Sequence, residues 1–247
     1  MKFLFIILFL FLNSAAKAQI TENQAIEIIT KLERIYQQTP ANSQEFKLKI
    51  FFMPQEEYVF GSKGVWGQAH STGEIFLAGG VLTNQFFTEE TFLALACHEV
   101  GHLYGGLPWD TSHLSYEGQA DYYAANICMK KYYLNYPQEL AKKTYLHEHY
   151  FKTCLKQYTS KQEIRICAKT MQAGLNLAIA SALAINEILL PGPAIDEHYQ
   201  TDHTLVGRDS PQCIADTFEA GAICSLATEK SPQSCSNKPK CWFKPTK

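Results

Sequence analysis

The chain has 247 residues, of which 46% are hydrophobic, and its 22 basic and 24 acidic residues give a formal charge of −2. This near-neutral balance gives no indication of a nucleic-acid-binding protein, so nucleic acid is not an expected partner. The length is sufficient for one domain with a sizeable hydrophobic core, with or without a small appendage.

The first 18 residues have the pattern of a secretory signal peptide. Lys2 precedes an apolar run over residues 3–12, and Ala16 and Ala18 provide the small residues of an A-x-A cleavage site. The apolar run is too short to cross a bilayer as a helix, which takes about 20 residues. We therefore expect export to the periplasm or the extracellular space, with no stable membrane insertion after cleavage. An uncleaved membrane anchor is the alternative.

A helix and a strand are predicted next. Thr21 and Gln24 form a capping-box pattern, and apolar residues at helical spacing then predict an amphipathic helix to about Gln37. Alternating apolar residues over 46–52 predict a strand that ends at Pro54.

Short strands and a second helix follow. Residues 58–82 mix aromatic and β-branched residues with six glycines, which predicts short strands joined by tight turns. Residues 74–78 are the clearest of these strands. Thr88 can cap a helix that runs to His102 and is ended by the glycines at 105–106.

The rest of the chain is predicted to be mainly helical. Ser115 can cap a helix to about Tyr133, and residues 138–158 and 161–190 also have helical patterns. Residues 173–190 are apolar enough to suggest a membrane span, but two asparagines and a glutamate favour a buried core helix.

An HExxH motif, His-Glu-Val-Gly-His, lies at residues 98–102 within the predicted second helix. Histidines four residues apart lie on one helix face, where each can present a ring nitrogen to one metal at about 2.0–2.1 Å. Glu99 lies beside that face. It can accept a proton from a water that the metal activates and return the proton to a leaving amine.

A catalytic zinc needs a third protein ligand. A metzincin would have a histidine at position 108, where this chain has Pro108. Glu117 fits as a carboxylate ligand from the next helix, and Asp121, four residues later, can orient a ligand histidine. The alternative for both acidic residues is an ordinary solvated helix start, favoured by the helix dipole. His113 and Asp110 are weaker candidates for the third ligand because both are predicted to lie in a loop.

The eight cysteines, an even number behind a predicted signal peptide, indicate disulfides formed in an oxidising compartment. Cys97 and Cys128 either pair with each other, which would join the two helices with the proposed ligands, or stay free. A cysteine-ligated zinc is disfavoured because the sequence has no C-x-x-C pair. Short separations favour three pairs, which are Cys154 with Cys167, Cys213 with Cys224, and Cys235 with Cys241.

Four segments together resemble one family of peptidases. They are residues 73–82, 88–90, 98–102 and 117–121. In sequence and order, over about residues 70–121, they resemble the gluzincin peptidases that include the HtpX heat-shock protease and the CAAX prenyl endopeptidase. The ExxAD element at 117–121 is more specific to this family than HExxH.

The resemblance implies a set of roles. It implies one zinc ion bound by His98, His102 and Glu117, with Glu99 as the catalytic base and Asp121 in support. It further implies that the predicted strand before the HExxH helix, around residues 75–77, borders the cleft. An extended peptide substrate could then add to this strand by backbone hydrogen bonds.

The chain also departs from the family pattern. The family has a later Thr-x-His-Pro segment followed by an arginine, and this chain has only a partial match in Thr201, His203, Thr204 and Arg208. In the family this histidine or a nearby residue can stabilise the oxyanion, so the partial match makes His203 and Arg208 candidates for that role, with an ordinary surface loop as the favoured alternative. Membrane-embedded members have several transmembrane helices, and none is predicted in this chain after the signal pattern. The chain therefore resembles the soluble exported branch.

These observations predict an α+β fold, in which a helix-rich, zincin-like domain has a small β-sheet next to the HExxH helix. Residues 1–18 are the predicted signal peptide and residues 19–194 the zinc metallopeptidase domain. Residues 195–247 form the predicted cysteine-rich C-terminal tail, tied by disulfides and packed on the domain.

The predicted function is zinc-dependent endopeptidase activity on protein or peptide substrates in the cell envelope or outside the cell. A zinc-binding envelope chaperone or binding protein with weak or gated proteolysis is the first alternative. The presence of Glu99 favours hydrolysis over it. A membrane-anchored interaction protein that uses residues 1–18 and 173–190 is the second alternative.

Overall fold

The structure is a computed structural model, and most of its described residues are helical. It describes residues 20–37, 47–53, 58–59, 62–63, 67–186, 190–196, 200–207, 210–224 and 238–244. The predicted signal peptide at residues 1–18 lies outside the described residues, as does Arg208.

The described elements are eight α-helices and five short strands, with one 3₁₀ and one π-helical turn. The helices are α1 (Glu22–Tyr36), α2 (Glu89–Tyr104), α3 (Glu117–Tyr123), α4 (Met129–Asn135), α5 (Pro137–Ala141), α6 (Glu148–Gln157), α7 (Lys161–Ala184) and α8 (Pro211–Ala222). The strands are β1 (Lys49–Met53), β2 (Tyr58–Val59), β3 (Ser62–Lys63), β4 (Gly67–Ala69) and β5 (Glu74–Ala78). The 3₁₀ turn is Gly79–Leu82 and the π turn is Ala124–Cys128.

The larger sheet of the described chain has three strands in the order β1-β5-β4. β1 runs parallel to β5, and β4 runs antiparallel to it. Ile75 and Leu77 of β5 are fully buried, so one face of the sheet packs on the core. β4 is an edge strand and packs beside α2. The predicted strand at 74–78 and the predicted small sheet beside the HExxH helix are thereby confirmed.

The capping box of α1 is confirmed. The Thr21 hydroxyl accepts from Gln24 N, and the Gln24 side chain accepts from Thr21 N. Together these bonds satisfy two of the free N–H groups at the helix start. Ala25, Ile28 and Leu32 then bury the core-facing side of α1.

The helix after the HExxH segment differs from the prediction. Ser115 does not cap it, because α3 begins at Glu117 with Tyr116 as an N-cap residue that makes no side-chain cap bond. The Ser115 hydroxyl instead donates to Gly106 O at 2.7 Å. Beyond α3, the π turn separates it from α4, which ends at Asn135.

The long apolar helix α7 is a core helix, as predicted, and packs against α2, α6 and α8. It ends at Ala184 rather than near residue 190, since Asn186 adopts a left-handed conformation with φ of 56°. The predicted helix at 138–158 is two helices, α5 and α6. Within the described ranges, no helix combines the length and apolarity that crossing a membrane requires.

The C-terminal part contributes to the core through α8. Ile214 and Phe218 of α8 are buried in the main hydrophobic cluster, against α7. A Cβ on Gly174 of α7 would lie 2.2 Å from the Phe218 Cβ, so the glycine permits this close packing. The predicted tail at 195–247 therefore includes a core helix.

The disulfides confirm one predicted pair, contradict two, and decide between the two alternatives for Cys97 and Cys128. Cys97 is bonded to Cys128, and Cys154 to Cys167. Cys213 is bonded to Cys241, so the predicted pairs Cys213 with Cys224 and Cys235 with Cys241 are wrong. Cys213 and Cys224 lie near opposite ends of α8, about 16 Å apart at 1.5 Å per residue. A disulfide needs Cα atoms within about 7 Å. Cys224 is itself disulfide-bonded, and Cys235 lies outside the described residues.

Candidate metal centre

The HExxH motif lies on helix α2, as its chemistry requires. Thr88 caps the helix by accepting a hydrogen bond from Thr91 N, which confirms the predicted helix start. Three turns later, His98 and Glu99 are each only 3% exposed, and the His102 side chain is 13% exposed. The motif therefore faces the inside of the molecule at the edge of a cavity.

Two histidines and one carboxylate converge on a single point. The Nε2 atoms of His98 and His102 are 3.1 Å apart. Glu117 Oε2 lies 3.4 Å from His98 Nε2, and Glu117 Oε1 lies 3.5 Å from His102 Nε2. A tetrahedral zinc with bonds of about 2.0–2.1 Å places its ligand atoms about 3.3 Å from one another. The group therefore has the dimensions of a zinc site and could hold a metal ion.

The hydrogen bonds of the two histidines fix which nitrogen faces that point. His98 Nδ1 lies 2.9 Å from Asp121 Oδ1, and His102 Nδ1 lies 2.6 Å from the Ser115 carbonyl oxygen. A carbonyl or carboxylate oxygen can only accept, so both Nδ1 atoms donate. Both Nε2 atoms then turn lone pairs toward Glu117. Three electron-rich groups placed this closely are stabilised by a cation between them.

A close helix crossing brings the acidic residues to the histidines. A Cβ on Gly101 of α2 would lie 2.4 Å from the Ala120 carbonyl oxygen of α3, so only glycine allows this approach. Ala120 stands between Glu117 and Asp121, and Asp121 is 1% exposed. The Cys97–Cys128 bond joins α2 to the π turn that follows α3. The close crossing and the disulfide thus hold the two helices together at the site.

We expect the substitution Asp121→Asn to lower zinc affinity about tenfold, the low end of the effect of removing groups that orient metal ligands. The neutral amide keeps the shape of Asp121 but weakens its bond to His98 Nδ1. Competition with a chromophoric chelator measures the affinity.

The matched control for Asp121→Asn is Asp110→Asn. Asp110 lines the same cavity, but its carboxylate accepts from the backbone N–H groups of Ser112 and Leu114. The control removes the same charge from a carboxylate that is not bonded to His98 or His102. Equal losses of affinity in the two variants would attribute the effect to cavity charge and contradict the orienting role of Asp121.

A cavity of about 400 Å³ opens in front of the converging group. Its walls come from α2, α3, β4, the loop between α2 and α3, α7, which contributes Leu177 and Ser181, and Val206 of the C-terminal part. Among the described residues that line it, Asp110, Glu99 and Glu117 are acidic and none is lysine or arginine. The cavity is therefore suited to a cation.

Two titratable groups with shifted pKa values lie near the end of α2. Burial raises the pKa of the Tyr104 hydroxyl to about 12. Burial also lowers the pKa of Lys238, whose Nζ donates to the Leu107 carbonyl oxygen, to about 8. Neither group lines the cavity, so its carboxylates dominate the charge inside it.

Glu99 lies beside the three converging residues His98, His102 and Glu117 rather than among them. Its Oε1 lies 3.8 Å from His98 Nε2. Strand β4 packs directly on it, since a Cβ on Gly67 would lie 2.5 Å from the Glu99 Cγ. This contact holds the carboxylate next to the proposed metal position.

The strand that borders the cavity is β4, and not the strand at residues 75–77. β5 is the central strand of the sheet, with β1 on one side and β4 on the other, so its edges are occupied. Gly67, Gln68 and Ala69 line the cavity. His70 N donates to Glu74 O, and antiparallel alternation then turns the backbone groups of Gly67 and Ala69 away from β5.

His203 is not brought to the cavity. Its side chain is 72% exposed, and its Nδ1 lies 2.5 Å from Asp202 Oδ1. It is not among the residues that line the cavity, and the geometry gives no support to an oxyanion role for it. His113, the weaker ligand candidate, packs against Trp109 and does not line the cavity either.

Sequence reasoning missed three contributors to this site. The Ser115 carbonyl that orients His102 is a backbone group, which the residue type does not reveal. Gly67 permits the close approach of β4 to Glu99, and Gly101 permits the close approach of α2 to α3. A single glycine within a strand or helix is the sequence signal that could have indicated such a close approach.

No protein-family model, curated protein or solved structure matches this chain. The resemblance to gluzincins over residues 70–121 therefore stays a prediction. The functional interpretation rests on the geometry and chemistry of the residues described above.

Proposed function

We propose that this protein is an exported, zinc-dependent endopeptidase of the gluzincin type. The observation that carries the proposal is the convergence of His98 Nε2, His102 Nε2 and the Glu117 carboxylate, with Glu99 beside them. Three protein ligands and an open side toward a cavity are the features of a catalytic rather than a structural zinc site.

The donor set fits zinc. Two imidazole nitrogens and one carboxylate oxygen are ligands that zinc accepts. In zinc sites each ligand histidine usually donates its other ring N–H to an oxygen, as His98 does to Asp121 and His102 does to the Ser115 carbonyl. When bound, zinc supplies a Lewis acid that brings the pKa of a coordinated water to about 7 and polarises a substrate carbonyl.

Glu99 is the proposed general base. Its carboxylate accepts a proton from the attacking water and then donates it to the leaving amine of the cleaved peptide bond. Burial of Glu99 and its contact with Gly67 restrict the side chain to one position. This restriction reduces the entropy that is lost when the carboxylate is oriented for proton transfer.

The proposed substrate is a protein or peptide segment in extended conformation. The outward-facing backbone groups of Gly67 and Ala69 can pair with such a segment, as in recognition by strand addition. The segment would then lie across the cavity, close to Glu99 and the metal ligands. Leu95, Leu114 and Leu177 in the cavity wall offer apolar contacts to a substrate side chain.

The disulfides support the proposed export. Cys97–Cys128 and Cys154–Cys167 are buried in the domain. Such structural disulfides form in oxidising compartments and are rare in the cytosol. We therefore propose a periplasmic or secreted location, in agreement with the signal pattern at residues 1–18.

The proposal is tested with the purified chain. We expect one zinc ion per chain by elemental analysis, and cleavage of unfolded casein or of a peptide library. A chelator should abolish cleavage and added zinc should restore it, because the metal activates the water. Cleavage that persists in the chelator would contradict the proposal, as would a chain that cannot be loaded with zinc. Zinc binding without cleavage would favour the alternative of a zinc-binding chaperone.

A further inference from the structure

Two segments from the C-terminal part of the chain pack together beside the start of α3. We call them the C-terminal clamp and define it as residues 201–206 with residues 238–244. Leu205 N donates to the Trp242 carbonyl oxygen at 2.9 Å, which joins the two segments. The Cys213–Cys241 disulfide ties the second segment to α8.

The first contact of the clamp is with the backbone of a proposed metal ligand. Glu117 N donates to the Val206 carbonyl oxygen at 3.1 Å. The first N–H groups of a helix have no partner within the helix, and the N-cap residue Tyr116 makes no side-chain cap bond. The clamp therefore takes the place of the cap and holds Glu117 at its own backbone nitrogen.

The second contact is with the neighbouring glycine. Trp242 is 0% exposed, and a Cβ on Gly118 would lie 2.2 Å from the Trp242 Cδ2. The indole thus lies directly on the backbone of the first turn of α3. The indole N–H has no hydrogen-bond partner among the described residues, so Trp242 acts here by packing.

We propose that Trp242 is a positioning residue for Glu117 and that the C-terminal clamp sets the affinity of the metal centre. Asp121 and Ser115 orient the two ligand histidines through hydrogen bonds. The clamp positions the third proposed ligand, Glu117, through its contacts with the backbone of α3. This inference rests on the proposed function, because it assumes that Glu117 binds zinc.

The test compares zinc affinities, measured by competition with a chromophoric chelator. We expect Gly118→Ala and Trp242→Ala to lower the affinity about 10- to 100-fold, as the loss of groups that orient metal ligands does. Trp242→Phe should stay close to wild type, because the aromatic packing is kept and no hydrogen bond is lost. The control is Gly174→Ala, whose Cβ would meet the Phe218 side chain at the same 2.2 Å, in the packing of α7 on α8.

The melting temperature of the zinc-free variants separates positioning from stability. The inference holds if Gly118→Ala and Gly174→Ala destabilise the zinc-free chain similarly and only Gly118→Ala weakens zinc binding. It is overturned if both glycine variants lose affinity equally, or if neither Gly118→Ala nor Trp242→Ala changes it. Should Gly118→Ala not fold, the pair Trp242→Ala and Trp242→Phe decides in the same way. A wild-type chain that binds no zinc would overturn the proposed function itself.

Discussion

Replacement of Glu99 by glutamine is expected to lower kcat/KM for peptide cleavage by about 10²–10⁴, the range that a positioned general base contributes. Zinc content should stay at one ion per chain, because Glu99 is not among the three converging ligands. Glutamine keeps the size of the side chain, so the contact with Gly67 is preserved. Elemental analysis and initial rates on a quenched fluorescent peptide measure the two effects.

The matched control for Glu99→Gln is Glu89→Gln. Glu89 lies in the first turn of the same helix and pairs with Lys142 at 2.6 Å, and its side chain is 23% exposed. Loss of such a pair near the surface costs about 1 kcal/mol or less, so this variant should keep wild-type activity. Unchanged cleavage by Glu99→Gln would mean that another group or a contaminating peptidase does the chemistry. Loss of zinc in Glu99→Gln would mean that Glu99 is itself a ligand.

The parts of the site that the sequence predicts are those set by local periodicity. His98 and His102 share a helix face because they are four residues apart, and any helix over this segment produces that arrangement. The same holds for Glu117 and Asp121 on the next helix. Strand β5 is also predicted from a local pattern, since the sequence of residues 74–78 itself gives the alternation of half-buried and buried side chains.

The parts that the sequence does not predict are set by tertiary contacts. The contact of Gly67 with Glu99 depends on the order of strands in the sheet, which period-2 alternation does not specify. The resemblance to the peptidase family implies strand 75–77 at the cleft, whereas the strand order places β4 there. The interpretation of Ser115 as a helix cap was wrong for a related reason. Its hydroxyl donates to Gly106 O in the preceding loop, and its carbonyl oxygen accepts from His102 Nδ1 of α2.

The fold of the C-terminal part does not follow from its composition and cysteine spacing. Cysteine spacing suggested local pairs, but helix α8 separates Cys213 from Cys224, and the bond runs from Cys213 to Cys241. The polar composition after residue 195 concealed both α8 and the contact of Trp242 with α3. The sequence thus predicts the three residues that converge in the structure but not the elements that support them.

The substitution Glu117→Ala should abolish stoichiometric zinc binding and, with it, cleavage. It removes one of the three proposed ligands and leaves the two histidine nitrogens, which bind zinc much more weakly alone. Zinc at 100 times its dissociation constant stabilises a folded protein by about 2.7 kcal/mol. We therefore expect zinc to raise the melting temperature of the wild type and to leave that of Glu117→Ala unchanged.

Asp110→Asn distinguishes Asp110 from Glu117, the two cavity carboxylates that are candidates for the third ligand. Asp110 was the other acidic candidate for the third ligand, and its carboxylate is already used by backbone N–H groups of its own loop. Asp110→Asn should therefore keep both the bound zinc and the zinc-dependent rise in melting temperature. Equal zinc content in Glu117→Ala and wild type, or loss of zinc in Asp110→Asn alone, would contradict the ligand assignment. Because both variants remove one negative charge from the same cavity, a difference between them reports coordination by Glu117 rather than the general attraction of a cation to an acidic cavity.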